Sequence, residues 1–236
     1  MKLSGETRLL LIMSLIILLG GAGMFFVSRT PTLAPPPSST PLPIQWTPEL
    51  FRTTLAAGRH VKESARPPRL TIIEFGDFEC PSCRRAYNTY LLKLEAAMPI
   101  RLCFYNYPLA QHTQALPAAA AAEAAGRQGK FWEMFGALYQ GIDTTLSSSL
   151  YPRLALKIGL DKARFDKDSA DPASAAAVLA DQRAANEKRI FQTPTFIVRD
   201  EKTGRVDKVT GAADLDKAVS AMTGTPLLLP PSSPAP

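Results

Sequence analysis

Apolar and polar positions follow three different patterns along this chain. Leu9 to Val27 is one uncharged apolar run of nineteen residues, and a single helix crosses a bilayer with about 20 such residues. Arg69 to Phe75 (RLTIIEF) is short, apolar and β-branched, which predicts a buried strand. From Pro81 to Met98 the residues Ala86, Tyr87, Tyr90, Leu91, Leu94 and Met98 recur at helical spacing, and Ile100 to Tyr105 returns to strand character. Strand, helix and strand in this order predict a βαβ unit with a parallel strand pair.

The flanking segments are legible in the same way. Thr47-Pro48-Glu49 places a hydroxyl cap, a proline at the first helical position and an acid in the first turn, so a helix is predicted from there to about Ala57. Residues 113–186 are rich in helix formers. They include an alanine tract at 118–125 and further helical stretches at Leu150–Ile158 and Ala173–Lys188. Strands are predicted again at Thr195–Val198 and Val206–Val209, around a turn at 200–204, and a last helix at Asp214–Met222. The predicted order is βαβ, a helical insertion at about 113–186, then ββα.

Composition changes the picture mainly at the ends. Most of the 21 prolines cluster there. Residues 28–43 read SRTPTLAPPPSSTPLP, a segment that proline holds extended at roughly 3 Å per residue, giving a stalk of about 40–50 Å. Residues 225–236 (TPLLLPPSSPAP) form a similar tail. Lys2 and Arg8 precede the apolar run and only Arg29 follows closely. The positive-inside rule then puts the N-terminus in the cytoplasm and the remainder outside. A cleaved signal peptide is the rival, with Leu9–Leu19 as its apolar core and Gly20–Gly23 as the cleavage region. Either reading exports the domain. The expected organisation is 1–28 as cytoplasmic N-terminus and membrane anchor, 29–46 as linker, 47–223 as the folded domain and 224–236 as tail. The net charge of +6 is spread among mixed signs, without the basic block that nucleic-acid binding uses.

Three cysteines, Cys80, Cys83 and Cys103, are too few for a stapled scaffold or a four-ligand zinc site. Cys80-Pro81-Ser82-Cys83 falls where the predicted strand gives way to a helix. With Cys80 as the cap and Pro81 at the first helical position, the helix start favours a thiolate on Cys80. Cys80 would exchange with substrate from the exposed outer end, and Cys83, further in, would resolve the mixed disulfide. Arg84 and Arg85 oppose Asp77 and Glu79, so the net sign of the nearby charge stays open. Cys103, in a predicted buried strand, reads as a small core residue. His112 reads as loop packing and His60 as surface. Phe131, Trp132, Met134, Phe135, Leu138 and Tyr139 recur at helical spacing and read as core.

The segment EFGDFECPSC at 74–83 resembles the active-site strand and helix start of the DsbA-like branch of the thioredoxin superfamily. Gln192-Thr193-Pro194-Thr195-Phe196 resembles its cis-proline loop, 107–139 resembles the first helices of its insertion, and 159–166 resembles a later turn there. The resemblance covers about residues 66–222. It implies an α/β thioredoxin fold with an inserted helical subdomain, here preceded by a single N-terminal transmembrane helix. It makes Cys80 the nucleophile and Cys83 the resolving cysteine. Glu74 is implied as the buried acid beneath the pair, against a strand-edge surface charge from its residue type alone. Pro194 is implied as the cis-proline, with Thr193 before it and Pro81 and Ser82 beside the substrate. Pro-Ser stands where the best-known oxidases carry Pro-His, which leaves the strength of the oxidant open.

The implied function is a thiol–disulfide oxidase on the outer side of the cell membrane. Its substrates would be exported proteins containing cysteine, and a membrane quinone-linked oxidase would recharge the pair. It would act as a monomer without metal, cofactor or nucleic acid. A reductase at the same site is the alternative, and a Cu(I)-binding domain a more distant one.

Overall fold

The computed structural model describes residues 44–140 and 145–224. The apolar run at 9–27, the proline-rich linker up to Pro43 and the tail from Thr225 lie outside the described residues. Thr47 caps the first helix, α1 (Pro48–Ala57), through the Leu50 N–H at 3.1 Å. The sequence then runs β1 (His60–Lys62), β2 (Leu70–Gly76), α2 (Pro81–Ala86), a π-helical turn (Tyr87–Leu91), α3 (Leu92–Ala97) and β3 (Ile100–Asn106). Five helices follow: α4 (Ala115–Gly126), α5 (Phe131–Gln140), α6 (Leu150–Lys157), α7 (Lys162–Ala170) and α8 (Pro172–Glu187). The chain returns through β4 (Thr195–Asp200) and β5 (Val206–Thr210) to α9 (Ala212–Thr223).

The strands form one mixed sheet in the order β1-β3-β2-β4-β5. The β2–β3 pair is parallel, as the βαβ pattern predicts, and the other neighbours are antiparallel. Strand alternation sends β2 side chains to two faces. Leu70, Ile72, Phe104, Phe196 and Val198 join the core under α2, α3, α9 and most of the insertion. Ile73, Phe75, Cys103, Tyr105 and Ile197 pack with Phe51 of α1 and Ala185 of α8 on the other. Glu74 shares the face of Ile72, which is how an acid comes to lie under α2.

β1 carries no signal in the sequence pattern, because three residues at a sheet edge leave no detectable period. Two expectations are corrected beside it. Residues 159–166, expected as a turn, run into a capped helix, α7, with Asp161 accepting from the Arg164 N–H at 2.8 Å. His60 is not a surface residue. Its ring stacks on Phe131 at 3.5 Å and its Nε2 lies 2.8 Å from the buried Glu123 carboxylate.

The helix predicted as continuous from Pro81 to Met98 contains the π turn. Asn88 compensates it: its side-chain amide donates to the Arg84 carbonyl and to the Tyr139 carbonyl, both at 3.0 Å. The helical segment after Cys80 is thereby tied to α5. Tyr139 and its neighbours Phe131, Met134, Phe135 and Leu138 are buried core, and Trp132 packs against them. Cys103 is fully buried, and a Cβ on Gly58 would come within 2.3 Å of its sulfur. The fold therefore spends Cys103 on packing against a close backbone approach.

Candidate active site

The end of β2, the start of α2 and the loop before β4 meet at the two neighbouring cysteines. Cys80 is the N-cap of α2 with extended backbone (φ −71, ψ 119), and Pro81 fills the first helical position. All three cysteines are free thiols. In this dithiol state Cys80 makes no capping hydrogen bond. Its Sγ–H instead faces the Thr193 carbonyl at 3.7 Å. The Thr193–Pro194 bond is cis. The Thr193 hydroxyl is buried without a hydrogen-bond partner. Cys80 is only 6% exposed, less than its place at the helix start implies, because the Thr193–Pro194 loop packs against it. Cys83 is fully buried, while Pro81 and Ser82 face solvent. A shallow cleft of about 300 Å³ lined by Glu79, Pro81, Arg84, Arg85 and Asn88 opens beside them.

The two thiols have opposite proton affinities. Cys80 is lowered to about 5. The Cys83 thiol contributes most, partial burial opposes, and the Thr193 side chain and the N–H groups of Cys83 and Ser82 add to the stabilised thiolate. Cys83 is held well above the ordinary thiol value, first by burial and then by its donation to Cys80 and the negative charge of Glu74. The Asp77 N–H, 3.5 Å from the Cys83 sulfur, works the other way. One member of the pair is thus a thiolate at neutral pH and the other a thiol.

Glu74 is fully buried, and neither carboxylate oxygen has a hydrogen-bond partner. It is flanked across the sheet by Phe104 and Phe196. A Cβ on Gly76 would sit 3.0 Å from its Oε1 and 2.5 Å from the Phe104 ring, so this glycine keeps room for both. Burial without a partner, with the Cys80 charge nearby, raises the Glu74 carboxyl to about 8. At neutral pH the carboxyl is therefore mostly protonated.

Sequence reasoning passed over a second group. Asp77, with its side chain fully buried, accepts from the Glu79 N–H at 2.8 Å and the Leu109 N–H at 2.9 Å. Its carbonyl takes the Cys80 N–H at 3.1 Å and the Tyr139 hydroxyl at 3.3 Å. His112 Nδ1 lies 2.7 Å from its Oδ2. Asp77 and His112 are 35 positions apart, and no local spacing signals their meeting.

A family model described as thioredoxin matches residues 66–221. The chain belongs to that family. Its fold and its solved neighbours place it in the DsbA-like branch of thiol–disulfide oxidoreductases. It is similar to a thioredoxin-like oxidoreductase of Silicibacter pomeroyi (27% identity, TM-score 0.59, 74% of this chain and 98% of that one). It is also similar to DsbA2 of Pseudomonas aeruginosa (25%, TM-score 0.54, 72% and 97%). Among curated relatives it is 36% identical over 140 residues to Na(+)/H(+) antiporter NhaA 3 of Salinispora tropica. That match covers 59% of this chain and 21% of the antiporter, so the chain spans about a fifth of that relative's length. Among the described residues no helix is long and apolar enough to cross a membrane.

Proposed function

We propose that this DsbA-like protein is an oxidase tethered to the outer face of the cell membrane that introduces disulfides into exported proteins. The observation that carries the direction is the contrast between Cys80, at about 5, and Cys83, held well above its ordinary value. A thiolate that is stable when reduced is a good leaving group, so the disulfide gives up its bond readily and oxidises its partner. A substrate thiolate attacks the Cys80 sulfur of the Cys80–Cys83 disulfide, and Cys83 leaves and takes a proton. A second substrate thiolate then attacks the substrate sulfur of the mixed disulfide, and Cys80 leaves as thiolate. Two electrons have passed from the substrate to the pair, and a membrane quinone-linked oxidase removes them. Glu74, protonated at neutral pH, is suited to supply the proton that Cys83 needs. Thr193, Pro194, Pro81 and Ser82 border the sulfur where a substrate strand would lie. Ion transport is not carried over from the antiporters.

Equilibration of the full chain in glutathione buffers, with free thiols trapped, tests the direction. A potential of about −120 to −200 mV is expected, and a value near −270 mV would turn the reading to a reductase. The tether rests on the apolar run at 9–27 and the extended linker after it. Full-length protein expressed in bacteria is expected to stay with membranes after an alkaline carbonate wash, with the catalytic domain open to protease added from outside the inner membrane. Release in the wash would mean a cleaved leader.

A further inference from the structure

Ser82 leaves the dipeptide between the cysteines without a cation. The fold supplies one from elsewhere. His112 lies in the loop between β3 and α4, and that loop is fastened around the end of β2 and the start of α2. The Tyr107 N–H reaches the Gly76 carbonyl at 2.7 Å, the Leu109 N–H reaches Asp77 Oδ2 at 2.9 Å, and the Gln114 N–H reaches Glu79 Oε2 at 2.5 Å. His112 Nδ1 closes the set on Asp77 Oδ2 at 2.7 Å. Asp77 in turn contacts both redox residues through its backbone, the Cys83 sulfur by its N–H at 3.5 Å and the Cys80 N–H by its carbonyl at 3.1 Å.

The imidazole keeps access to water, since its side chain is 20% exposed. Partial burial works against its charge, but the hydrogen bond to Asp77 and the charges of Asp77, Cys80 and Glu79 raise its proton affinity overall. The charged groups facing it are Asp77 and Glu79 from the β2–α2 connection and Cys80 from the start of α2. Of the neighbouring tyrosines, Tyr139 of α5 is bound to the Asp77 carbonyl and Tyr151 of α6 to Gln114.

We propose that His112 is a positioning residue of the redox site, an imidazolium that Asp77 holds in place to stabilise the Cys80 thiolate. It takes the role of the cation missing between the cysteines. The inference rests on the disulfide-exchange reading of the site and gives that site a further source of oxidising strength, besides the Cys83 thiol, Thr193 and the helix start.

The test follows the ultraviolet absorbance of the Cys80 thiolate against pH in the reduced full chain. Cys83 and Cys103 do not interfere, because both thiols are raised. His112→Asn keeps a donor where Nδ1 stands but removes the charge. His112→Lys restores a cation without that donor geometry. Asn is expected to raise the Cys80 midpoint by about one unit. It is also expected to weaken oxidation of glutathione about tenfold, equivalent to about 30 mV. Lys is expected to bring both back toward wild type. A role confined to fastening the loop gives the opposite pattern, with Asn behaving as wild type and Lys not, and that pattern overturns the proposal. An Asn shift that Lys fails to reverse overturns it too. If the wild-type Cys80 titrates as an ordinary thiol, the exchange reading itself fails, independently of His112.

Discussion

Cys83→Ala protein treated with oxidised glutathione at neutral pH is expected to take up one glutathione on Cys80 and stop there, while the wild type goes on to an internal disulfide. Cys80 is the lowered thiol, at about 5 in the wild type, and once the Cys83 thiol is removed the Thr193 side chain and the N–H groups of the helix start still favour its thiolate. Cys103, raised to about 12 and fully buried, would carry a thiolate fraction of roughly 10⁻⁵ at neutral pH and no path to solvent. The adduct persists in the variant because the group that would displace it is gone. In the wild type Cys83 lies three residues after Cys80, within the first turn of the same helix, so its attack is intramolecular. Turnover on a dithiol peptide should fall below detection in the variant. Mass spectrometry of the intact chain and of its peptides decides. An adduct on Cys103, or a stable adduct on wild-type Cys80, would reverse the order of attack assigned to the pair.

The second large effect concerns Glu74 and is best measured on the oxidised protein, where neither active-site thiol titrates. Burial, the larger cause, raises the carboxyl from 4.5 to about 8. A folded pKa above the unfolded one means that the folded state binds more protons between the two values. The stability held below about 4.5 is therefore lost as pH rises toward 8, and stays lost above it. A shift of this size corresponds to about 5 kcal/mol, of which the part caused by the Cys80 charge disappears on oxidation. Glu74→Gln should flatten this slope, so the variant gains on the wild type as pH increases. Urea unfolding at several pH values reads it, and parallel wild-type and variant curves would mean that Glu74 ionises as freely as on a surface. The reduced protein should show a smaller slope. The lowered Cys80 thiol works in the opposite sense, adding stability as pH rises from about 5 toward 9. Exchange should also slow in Glu74→Gln, by about 10² if the carboxyl carries the proton of Cys83.

Most of the fold was readable because its signals are local. Thr47-Pro48-Glu49 starts a helix by caps and dipole alone, and α1 begins there. The apolar run of β2, the helical stripe after Cys80 and the strand character of β3 specify a parallel pair on hydrophobic period and chain length. The π turn was not readable, because it inserts into a stripe that still buries Ala86, Tyr87, Tyr90, Leu91 and Leu94. Nor was β1, which pairs three residues with β3 and takes its stability from Glu123 and Phe131 across the insertion.

The site divides along the same line. Four adjacent residues suffice to put Cys80 at the N-cap position, Pro81 at the first helical position and Cys83 within the next turn, so these features are local to the chain. What surrounds the sulfurs comes from long-range packing: Thr193 against Cys80, Glu74 without a partner between two phenylalanines, and His112 on Asp77. These contacts join residues far apart in the chain. They are selected by which faces of sheet and insertion pack together, and packing of that kind leaves no period or cap in the sequence to announce it.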